Sequence, residues 1–319
     1  EFRRVLFRSW TDAVLFTTTG DGTTPGGGTT PGVWTVTIDS TATGDTIYVT
    51  WGANTLDIIN PYHGNGVTVT ADNGDVTAVS TSSAKNIPYV LGGASSQGSF
   101  TLTTAQKVKL FLNSLSLTSS SATPAIYLTE KKNALVTLRG TSTLSDNSGN
   151  AQKGAFQSKG TLEFTGSGVL NVSGYAKHGI VSTKESITVG SGTLNVLTAV
   201  SDGLHAVGID ITGGTVSVTN PNGDGIDGDE GADGISGGTV TVNCSAADVK
   251  GISCDSTLTV SGGTINVTVS GNQSKGLKTK GNMFMTGGDL TVNATGSVAL
   301  EAVGSGYDPS YCTGIKTAG

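Results

Sequence analysis

Apolar and polar residues alternate in short runs along most of the chain, as in Leu258-Thr-Val260 and Ile265-Asn-Val267. Such alternation is typical of β-strands that bury one face. From Gly154 onward the runs recur roughly every 22 to 26 residues, a period that indicates a solenoid. Each copy ends in Gly-Gly-Thr or a close variant, with its second glycine at Gly168, Gly192, Gly214, Gly238, Gly263 or Gly288. We therefore predict an all-β parallel β-helix in which each repeat forms one coil.

A glycine followed by an aliphatic residue marks a second point in each copy. Equivalent positions of stacked coils should lie about 4.8 Å apart. We predict that the residue before this glycine and the residue after the aliphatic one point outward and form two rows. The first row reads His178, Asp202, Asp224, Lys250, Lys275 and Thr313, and the second reads Val181, His205, Asp227, Ser253, Lys278, Glu301 and Lys316. The resulting strip is acidic in the middle and basic in the later coils.

Four segments are predicted along the chain. Residues 1–9 resemble a translated cloning adaptor, and residues 10–33 read as a flexible N-terminal segment and linker rich in Gly, Thr and Pro. Residues 34–150 should form an N-terminal cap with irregular β-helix coils, because a solenoid end must cover its core. Residues 151–319 carry the regular repeats of the same continuous domain. The last repeat opens at Gly314 without its Gly-Gly-Thr, so we expect a truncated C-terminus.

Composition narrows the classes of function. Charged residues make up 13% of the chain and the formal net charge is −6. After residue 9 the only arginine is Arg139, so electrostatics give little support to nucleic-acid binding. No apolar run of about 20 residues predicts a membrane span. Cys244, Cys254 and Cys312 lack the spacing of a metal site. A disulfide between Cys244 and Cys254 is one interpretation, and two buried free thiols are the favoured one.

Carboxylates concentrate in the middle of the strip, on adjacent coils and in the turn that follows. Such groups repel one another, which raises their pKa values or calls for a cation. Oxygen ligands held by a glycine-rich turn suit calcium. The predicted metal ligands are Asp202, Asp224, Asp227, Asp229, Glu230 and Asp233. The alternative is a solvated acidic loop in which Asp is merely favoured at turns.

Lysines in the later coils could meet the carboxylates of an extended acidic polymer, or could simply keep the solenoid soluble. Tyrosines on the inserted loop could stack on a sugar, or could cover a local apolar patch. The two histidines of the strip join the candidates because each could contact a ligand or act as a base. The predicted carbohydrate-binding residues are Lys250, Lys275, Lys278, Lys280, His178, His205, Tyr307 and Tyr311. No Ser or Cys nucleophile motif accompanies the histidines, and no catalytic residue is predicted.

An ordered series of motifs adds a resemblance. It comprises Lys177-His-Gly-Ile, Ser201-Asp-Gly-Leu-His-Ala, Gly223-Asp-Gly-Ile-Asp-Gly-Asp-Glu-Gly, Lys250-Gly-Ile-Ser-Cys-Asp, Ser274-Lys-Gly-Leu-Lys and Gly306-Tyr-Asp-Pro-Ser-Tyr-Cys. The series resembles a bacterial family of carbohydrate-binding β-helix proteins typified by a clostridial protein that binds polygalacturonic acid, in a form similar to those of Bacteroidetes. The resemblance extends from about Ile47 to the end of the sequence.

The resemblance implies a right-handed parallel β-helix, bound calcium ions, binding of acidic sugars and export to the cell surface. Asp224, Asp227 and Asp229 match the family's Asp-Gly-Ile-Asp-Gly-Asp stretch, so the calcium expectation falls on them. The leading hypothesis is a non-catalytic, extracellular or surface-attached protein that holds pectin-like polysaccharide with the help of calcium. A structural adhesin or fibre-forming solenoid with end-to-end self-association is the second hypothesis, and a β-helix polysaccharide lyase is the third.

Overall fold

The computed structural model describes residues 16–17, 33–81 and 87–318. These residues form strands and turns without a helix among them, and the predicted all-β parallel solenoid is confirmed. The predicted adaptor residues 1–9 and most of the predicted linker lie outside the described residues. Within the linker, β1 (Phe16–Thr17) pairs antiparallel with β2 (Thr35–Asp39).

The N-terminal part combines antiparallel pairs with the first parallel ones. Its further strands are β2 (Thr35–Asp39), β3 (Ile47–Trp51), β4 (Thr55–Ile59), β5 (Val67–Asp72), β6 (Asp75–Ser80), β7 (Ile87–Ser95), β8 (Ser99–Thr104) and β9 (Val108–Thr118). Strands β3 and β4 pair antiparallel, as do β5 and β6. Trp34 is completely buried beside these strands, so an aromatic side chain and two antiparallel pairs cover this end of the core.

Parallel pairing begins with β2 on β4 and β3 on β7, and it continues with β6 on β8, β7 on β9 and the repeats. The strands of the repeats are β10 (Ile126–Leu128), β11 (Ala134–Arg139), β12 (Thr141–Ser145), β13 (Gly154–Ser158), β14 (Leu162–Gly166), β15 (Val169–Gly174), β16 (His178–Ser182), β17 (Ile187–Val189), β18 (Thr193–Ala199), β19 (Leu204–Ala206), β20 (Ile209–Ile211), β21 (Thr215–Thr219), β22 (Ile226–Gly228), β23 (Asp233–Ile235), β24 (Thr239–Cys244), β25 (Lys250–Cys254), β26 (Leu258–Val269), β27 (Lys275–Thr279) and β28 (Met283–Ala294). Together with the N-terminal strands and one strand near the C-terminus, they form an 18-stranded sheet and an 11-stranded sheet around one core in the described part of the chain.

Aliphatic side chains fill the space between the sheets in one continuous cluster, from Trp34 to Leu277. The Gly-Gly-Thr corners let successive coils approach closely. At Gly238, φ is +77°, and a Cβ atom would lie 2.6 Å from the carbonyl oxygen of Gly214 in the preceding coil. Only glycine avoids that contact in this conformation, which explains the recurrence of the motif.

The chain ends in a hairpin and one more strand. Strands β29 (Ala299–Val303) and β30 (Gly306–Ser310) pair antiparallel, and β31 (Thr313–Thr317) returns to the 11-stranded sheet beside β27. Phe284 and Met285 in β28 are about half exposed. The cysteines are free, with Cys244 and Cys254 buried as favoured from the sequence. Within the described residues, no helix is long and apolar enough to span a membrane.

Candidate functional site

The 11-stranded sheet stacks the two predicted rows. In the second row, His205 pairs with Asp227, Ser253 with Lys278, and Lys278 with Lys316. Glu301 was wrongly assigned to this row: it pairs with Asp308 in the β29–β30 hairpin. The hairpin is an insertion between two coils, so Lys316 takes the next place after Lys278.

The glycine of each Gly-aliphatic pair brings this sheet close to its neighbour. A Cβ atom at Gly203 would lie 2.4 Å from Val218 Cγ1 and 2.6 Å from the carbonyl oxygen of Gly225. A larger residue would therefore push the strand away from the core. The close approach fixes the positions of the residues on either side of each Gly-aliphatic pair. The residue before the glycine belongs to the first row, and the residue after the aliphatic one belongs to the second row.

The first row bonds along the solenoid axis. The Asp224 amide donates to Asp202 Oδ1 at 2.8 Å, and the Lys250 amide donates to Asp224 Oδ1 at 2.7 Å. The prediction that this row points into solvent was wrong for His178, Asp202 and Lys275, which are only 1%, 9% and 6% exposed. A side chain that accepts a hydrogen bond from an amide of the next coil lies against that coil. Its exposure to solvent is reduced as a result.

Two histidines and two carboxylates meet on three adjacent coils. Asp202 Oδ2 lies 3.0 Å from His178 Nδ1 and 3.5 Å from His205 Nδ1, and Asp227 Oδ2 lies 2.9 Å from His205 Nδ1. The two imidazole rings stack with their centroids 4.3 Å apart and their planes 7° apart. We refer to His178, Asp202, His205 and Asp227 as the histidine–aspartate cluster.

Electrostatics differ between the two imidazoles. Burial lowers the pKa of His178 and outweighs the hydrogen bond with Asp202. Burial also opposes the charged form of His205, but hydrogen bonds with Asp202 and Asp227 raise its pKa to about 9. Burial disfavours ionised Asp202, yet contacts with both histidines hold the pKa of that carboxyl below its usual range. At neutral pH, His205 is therefore a cation held between two carboxylates rather than a free base.

The other predicted calcium ligands are spread over separate places. Burial raises the pKa of Asp224 to about 6, while Asp229 and Glu230 are exposed in the following turn. Asp233 faces the core, where Oδ1 accepts the Ile209 amide at 2.7 Å and burial raises the pKa of the carboxyl to about 7. In the described part of the chain, the one set of three candidate ligand atoms within 4.8 Å of one another joins Asp202 to the two histidines.

Four lysines follow on the same face of the sheet. Lys250 pairs in register with Lys275, and Lys278 pairs with Lys316; we call these residues the lysine block. Burial lowers the pKa of Lys275, Asp248 raises it, and the ammonium groups of the other three lysines lower it further. Lys250 Nζ donates to the Asp248 carbonyl oxygen at 3.0 Å and lies 3.9 Å from Asp224 Oδ1.

Lys280 stands apart from the lysine block. Its exposed side chain forms an ion pair with Asp255. The predicted tyrosines belong to the inserted hairpin and its exit, and Tyr307 and Tyr311 are 70% and 60% exposed. Lys275 Nζ donates to the Gln273 carbonyl oxygen and lies 3.4 Å from Ser310 Oγ, so the hairpin touches the lysine block.

Two residues of this surface were absent from the predicted binding set. Lys316 was already part of the predicted second row, so the repeat pattern alone could have added it to the predicted carbohydrate-binding residues. Ser310 carried no signal, because its contact with Lys275 spans 35 residues and depends on how the hairpin folds back. Arg139, the remaining arginine, lies over the Phe111 ring, with its guanidinium carbon 4.3 Å from the ring centroid.

Comparisons with known proteins agree with this architecture. The model of a family described as carbohydrate-binding domain-containing protein matches residues 65–306. Among solved structures, a polysaccharide lyase-like protein from C. thermocellum, determined as a gadolinium derivative, is similar with a TM-score of 0.64 and 18% sequence identity. The alignment covers 77% of this chain and 100% of that chain. No curated protein matches.

Proposed function

This chain belongs to the family of carbohydrate-binding domain-containing proteins, and we propose that it binds acidic polysaccharide of the pectin or polygalacturonate type without cleaving it. The observation that carries the proposal is the lysine block, in which Lys278 lies in register beside Lys316 and Lys250 beside Lys275. Like charges on neighbouring strands destabilise a sheet unless anions are close. A polymer with a carboxylate on each sugar supplies such anions at regular intervals.

The inserted hairpin supplies the apolar part of the proposed surface. Tyr311 follows Ser310, whose hydroxyl lies 3.4 Å from Lys275 Nζ. Exposed aromatic rings provide a flat apolar face together with a polar hydroxyl group, and such side chains are common at binding surfaces. We propose that Tyr307 and Tyr311 contact the faces of sugar rings whose carboxylates meet Lys275, Lys278 and Lys316.

Binding without catalysis is favoured by the state of two basic groups, His205 and Arg139. His205 holds its proton between Asp202 and Asp227, and Arg139 packs on Phe111. A lyase must remove a proton from the sugar with a free base. Incubation with polygalacturonate should therefore produce no rise in the ultraviolet absorbance of unsaturated uronates. An absorbance that rises at a rate proportional to the protein concentration would establish a lyase instead.

Calcium assistance is a separate part of the proposal. Calcium takes six to eight oxygen ligands, and the carboxylates that the resemblance designates, Asp224, Asp227 and Asp229, do not gather into such a cage in the described arrangement. We therefore assign no step of glycan binding to calcium. The predicted calcium dependence is tested by measuring retention on pectate with calcium and with a calcium-selective chelator. Retention that requires calcium in the wild type but not in Asp229→Asn would support the prediction.

The proposed ligand also determines where the protein acts. Pectin-like polymers lie outside cells, so we propose an extracellular or surface-attached protein. Detection of the chain in the medium, or its loss from intact cells treated with protease, would support this location, and survival of the chain in protease-treated intact cells would contradict it. The second candidate function is self-association, because Phe284 and Met285 of the last long strand are about half exposed; light scattering across a tenfold range of concentration tests it.

The decisive experiment for glycan binding compares two pairs of lysines. The Lys278→Ala/Lys316→Ala double variant should lose most of its retention on insoluble polygalacturonate. The matched control is Lys107→Ala/Lys109→Ala, which removes two exposed lysines from another part of the solenoid. Cellulose serves as the neutral polymer. Equal loss in both double variants, or equal retention on cellulose and pectate, would contradict binding at the lysine block.

A further inference from the structure

The proposed glycan contacts leave the histidine–aspartate cluster without a role. We propose that His178, Asp202 and His205 form a binding site for a divalent transition-metal ion of the zinc type. The three residues come from two adjacent coils, and their candidate ligand atoms all lie within 4.8 Å of one another. This inference does not depend on the glycan proposal.

The donor atoms have the separations that such an ion needs. Ligand atoms about 2.0–2.1 Å from a tetrahedral zinc ion lie roughly 3.3 Å from one another. In the cluster, Asp202 Oδ2 lies 3.0 Å from His178 Nδ1 and 3.5 Å from His205 Nδ1. Because the two rings are stacked almost parallel and imidazole nitrogen binds a metal in the plane of its ring, at least one imidazole would turn out of the stack to place an ion against all three atoms. The fourth position is open to water or to Asp227, whose Oδ2 is 2.9 Å from His205 Nδ1.

The chemistry of the donors selects the class of ion. Imidazole nitrogen suits zinc, copper, cobalt and nickel, whereas calcium and magnesium take oxygen ligands. Two imidazoles with one carboxylate match the ligand types found at zinc sites that have three protein ligands and an open position. The cluster is therefore a poor calcium site and a suitable site for zinc.

The fold holds the ligands in place. Asp202 Oδ1 accepts the Asp224 amide at 2.8 Å, which orients the carboxylate and leaves Oδ2 directed at the histidines. Hydrogen bonds of this kind fix metal-binding side chains. The two rings come from different rows of adjacent coils and stack with their centroids 4.3 Å apart. The His205 side chain is 21% exposed, which gives an ion a route from solvent.

His178 supplies an independent observation. Its side chain is 2% exposed, and within the described residues its Nε2 atom is buried without a hydrogen-bond partner. A buried polar atom without a partner destabilises the fold. The preceding coil has Gly154 at the paired position, so the solenoid does not need an imidazole there. The polar contacts of this ring are all at Nδ1, which points to the cluster.

The test uses tag-free protein treated with a chelator and then titrated with Co²⁺, whose visible absorption bands report tetrahedral nitrogen and oxygen ligands. We expect one equivalent to bind, Zn²⁺ to displace it and excess Ca²⁺ to leave it in place. His205→Gln and Asp202→Asn should weaken binding at least tenfold. His63→Gln is the matched control, because it removes the exposed third histidine of the chain.

Full-strength Co²⁺ binding in folded His205→Gln would overturn the site, as would displacement by Ca²⁺ or an equal loss in His63→Gln. Far-ultraviolet circular dichroism and thermal unfolding in chelator identify variants that do not fold. If Asp202→Asn does not fold, the result for His205→Gln decides whether the site exists, because the partly exposed His205 side chain can be replaced with less effect on folding. Pectate retention measured in chelator keeps the glycan proposal separate from this outcome.

Discussion

The coils from His178 to Asp227 and the coils from Lys250 to Lys316 occupy the same two rows of one sheet. In the first set, carboxylates accept hydrogen bonds from the next backbone or from histidines, as Asp202 does on both of its oxygens. In the second set, Lys278 and Lys316 stand side by side as like charges. The first set thus satisfies its charges internally, whereas the second leaves cationic charge at the surface.

The difference separates residues that contribute to stability from residues that are available to the glycan. Buried ionic groups are costly to disrupt because the remaining partner stays in a poorly solvated place. Exposed charges contribute little to folding and are available to a ligand. Substitutions in the first set should therefore change stability, and substitutions in the second should change binding.

The largest expected effect is that of Asp202→Ala. This change removes the acceptor of the Asp224 amide and the carboxylate beside His178 Nδ1, and it leaves His205 with Asp227 alone. We expect the free energy of unfolding to fall by about 3 to 5 kcal/mol. Lys278→Ala, the comparison from the second set, should change it by about 0.5 kcal/mol or less. Urea unfolding in chelator measures both values, and similar losses would end the distinction between the two sets.

A third kind of carboxyl lies inside the solenoid. Between about pH 4 and 7, folded Asp233 keeps a proton that the unfolded chain releases, because burial raises the pKa of this group to about 7. The free energy of unfolding should therefore fall as pH rises through this range and level off above it. Asp233→Asn retains an acceptor for the Ile209 amide and should be more stable at pH 8 by about 3 kcal/mol.

At pH 4 the Asn variant and the wild type should unfold at nearly the same urea concentration, because both then carry a neutral side chain at position 233. Glu230→Gln is the matched control, since that carboxyl is exposed in the neighbouring turn. An advantage of Asp233→Asn that is equal at pH 4 and pH 8 would mean that ionisation of Asp233 does not limit stability.

The repeat pattern predicted the solenoid and the stacking of both rows, because the two-residue strand period and the glycine corners are local features. It did not predict the burial of His178 or Lys275, which depends on how side chains bond across coils. Asp233 shows the same limit. Because it belongs to an acidic run, Asp233 was predicted to be a metal ligand. Its position in the sheet pairs with buried Leu258, so its side chain faces the core instead. The sequence predicted an insertion around Tyr307 and Tyr311 but not its start at Ala299, so Glu301 was assigned to the row.

Salt should separate the two sets in binding. Raising NaCl from 0.05 to 0.3 M should weaken pectate binding roughly three- to tenfold, because exposed ion pairs are screened by salt. Lys278→Ala/Lys316→Ala should show a flatter salt dependence as well as weaker binding at low salt. Isothermal titration with short oligogalacturonates measures both quantities. An unchanged salt dependence in the double variant would place the electrostatic contacts elsewhere.

The smallest effect is expected at Lys280, which lies close to the lysine block along the chain but pairs with Asp255. Because that ammonium already has a carboxylate partner, Lys280→Ala should leave oligogalacturonate binding within about twofold of the wild type. Asp255→Ala sharpens the comparison, since it removes the partner and should strengthen binding slightly by adding a free cation beside the block. A loss in Lys280→Ala as large as that in Lys278→Ala would show that proximity to the polymer, rather than the absence of a partner, determines which lysines bind.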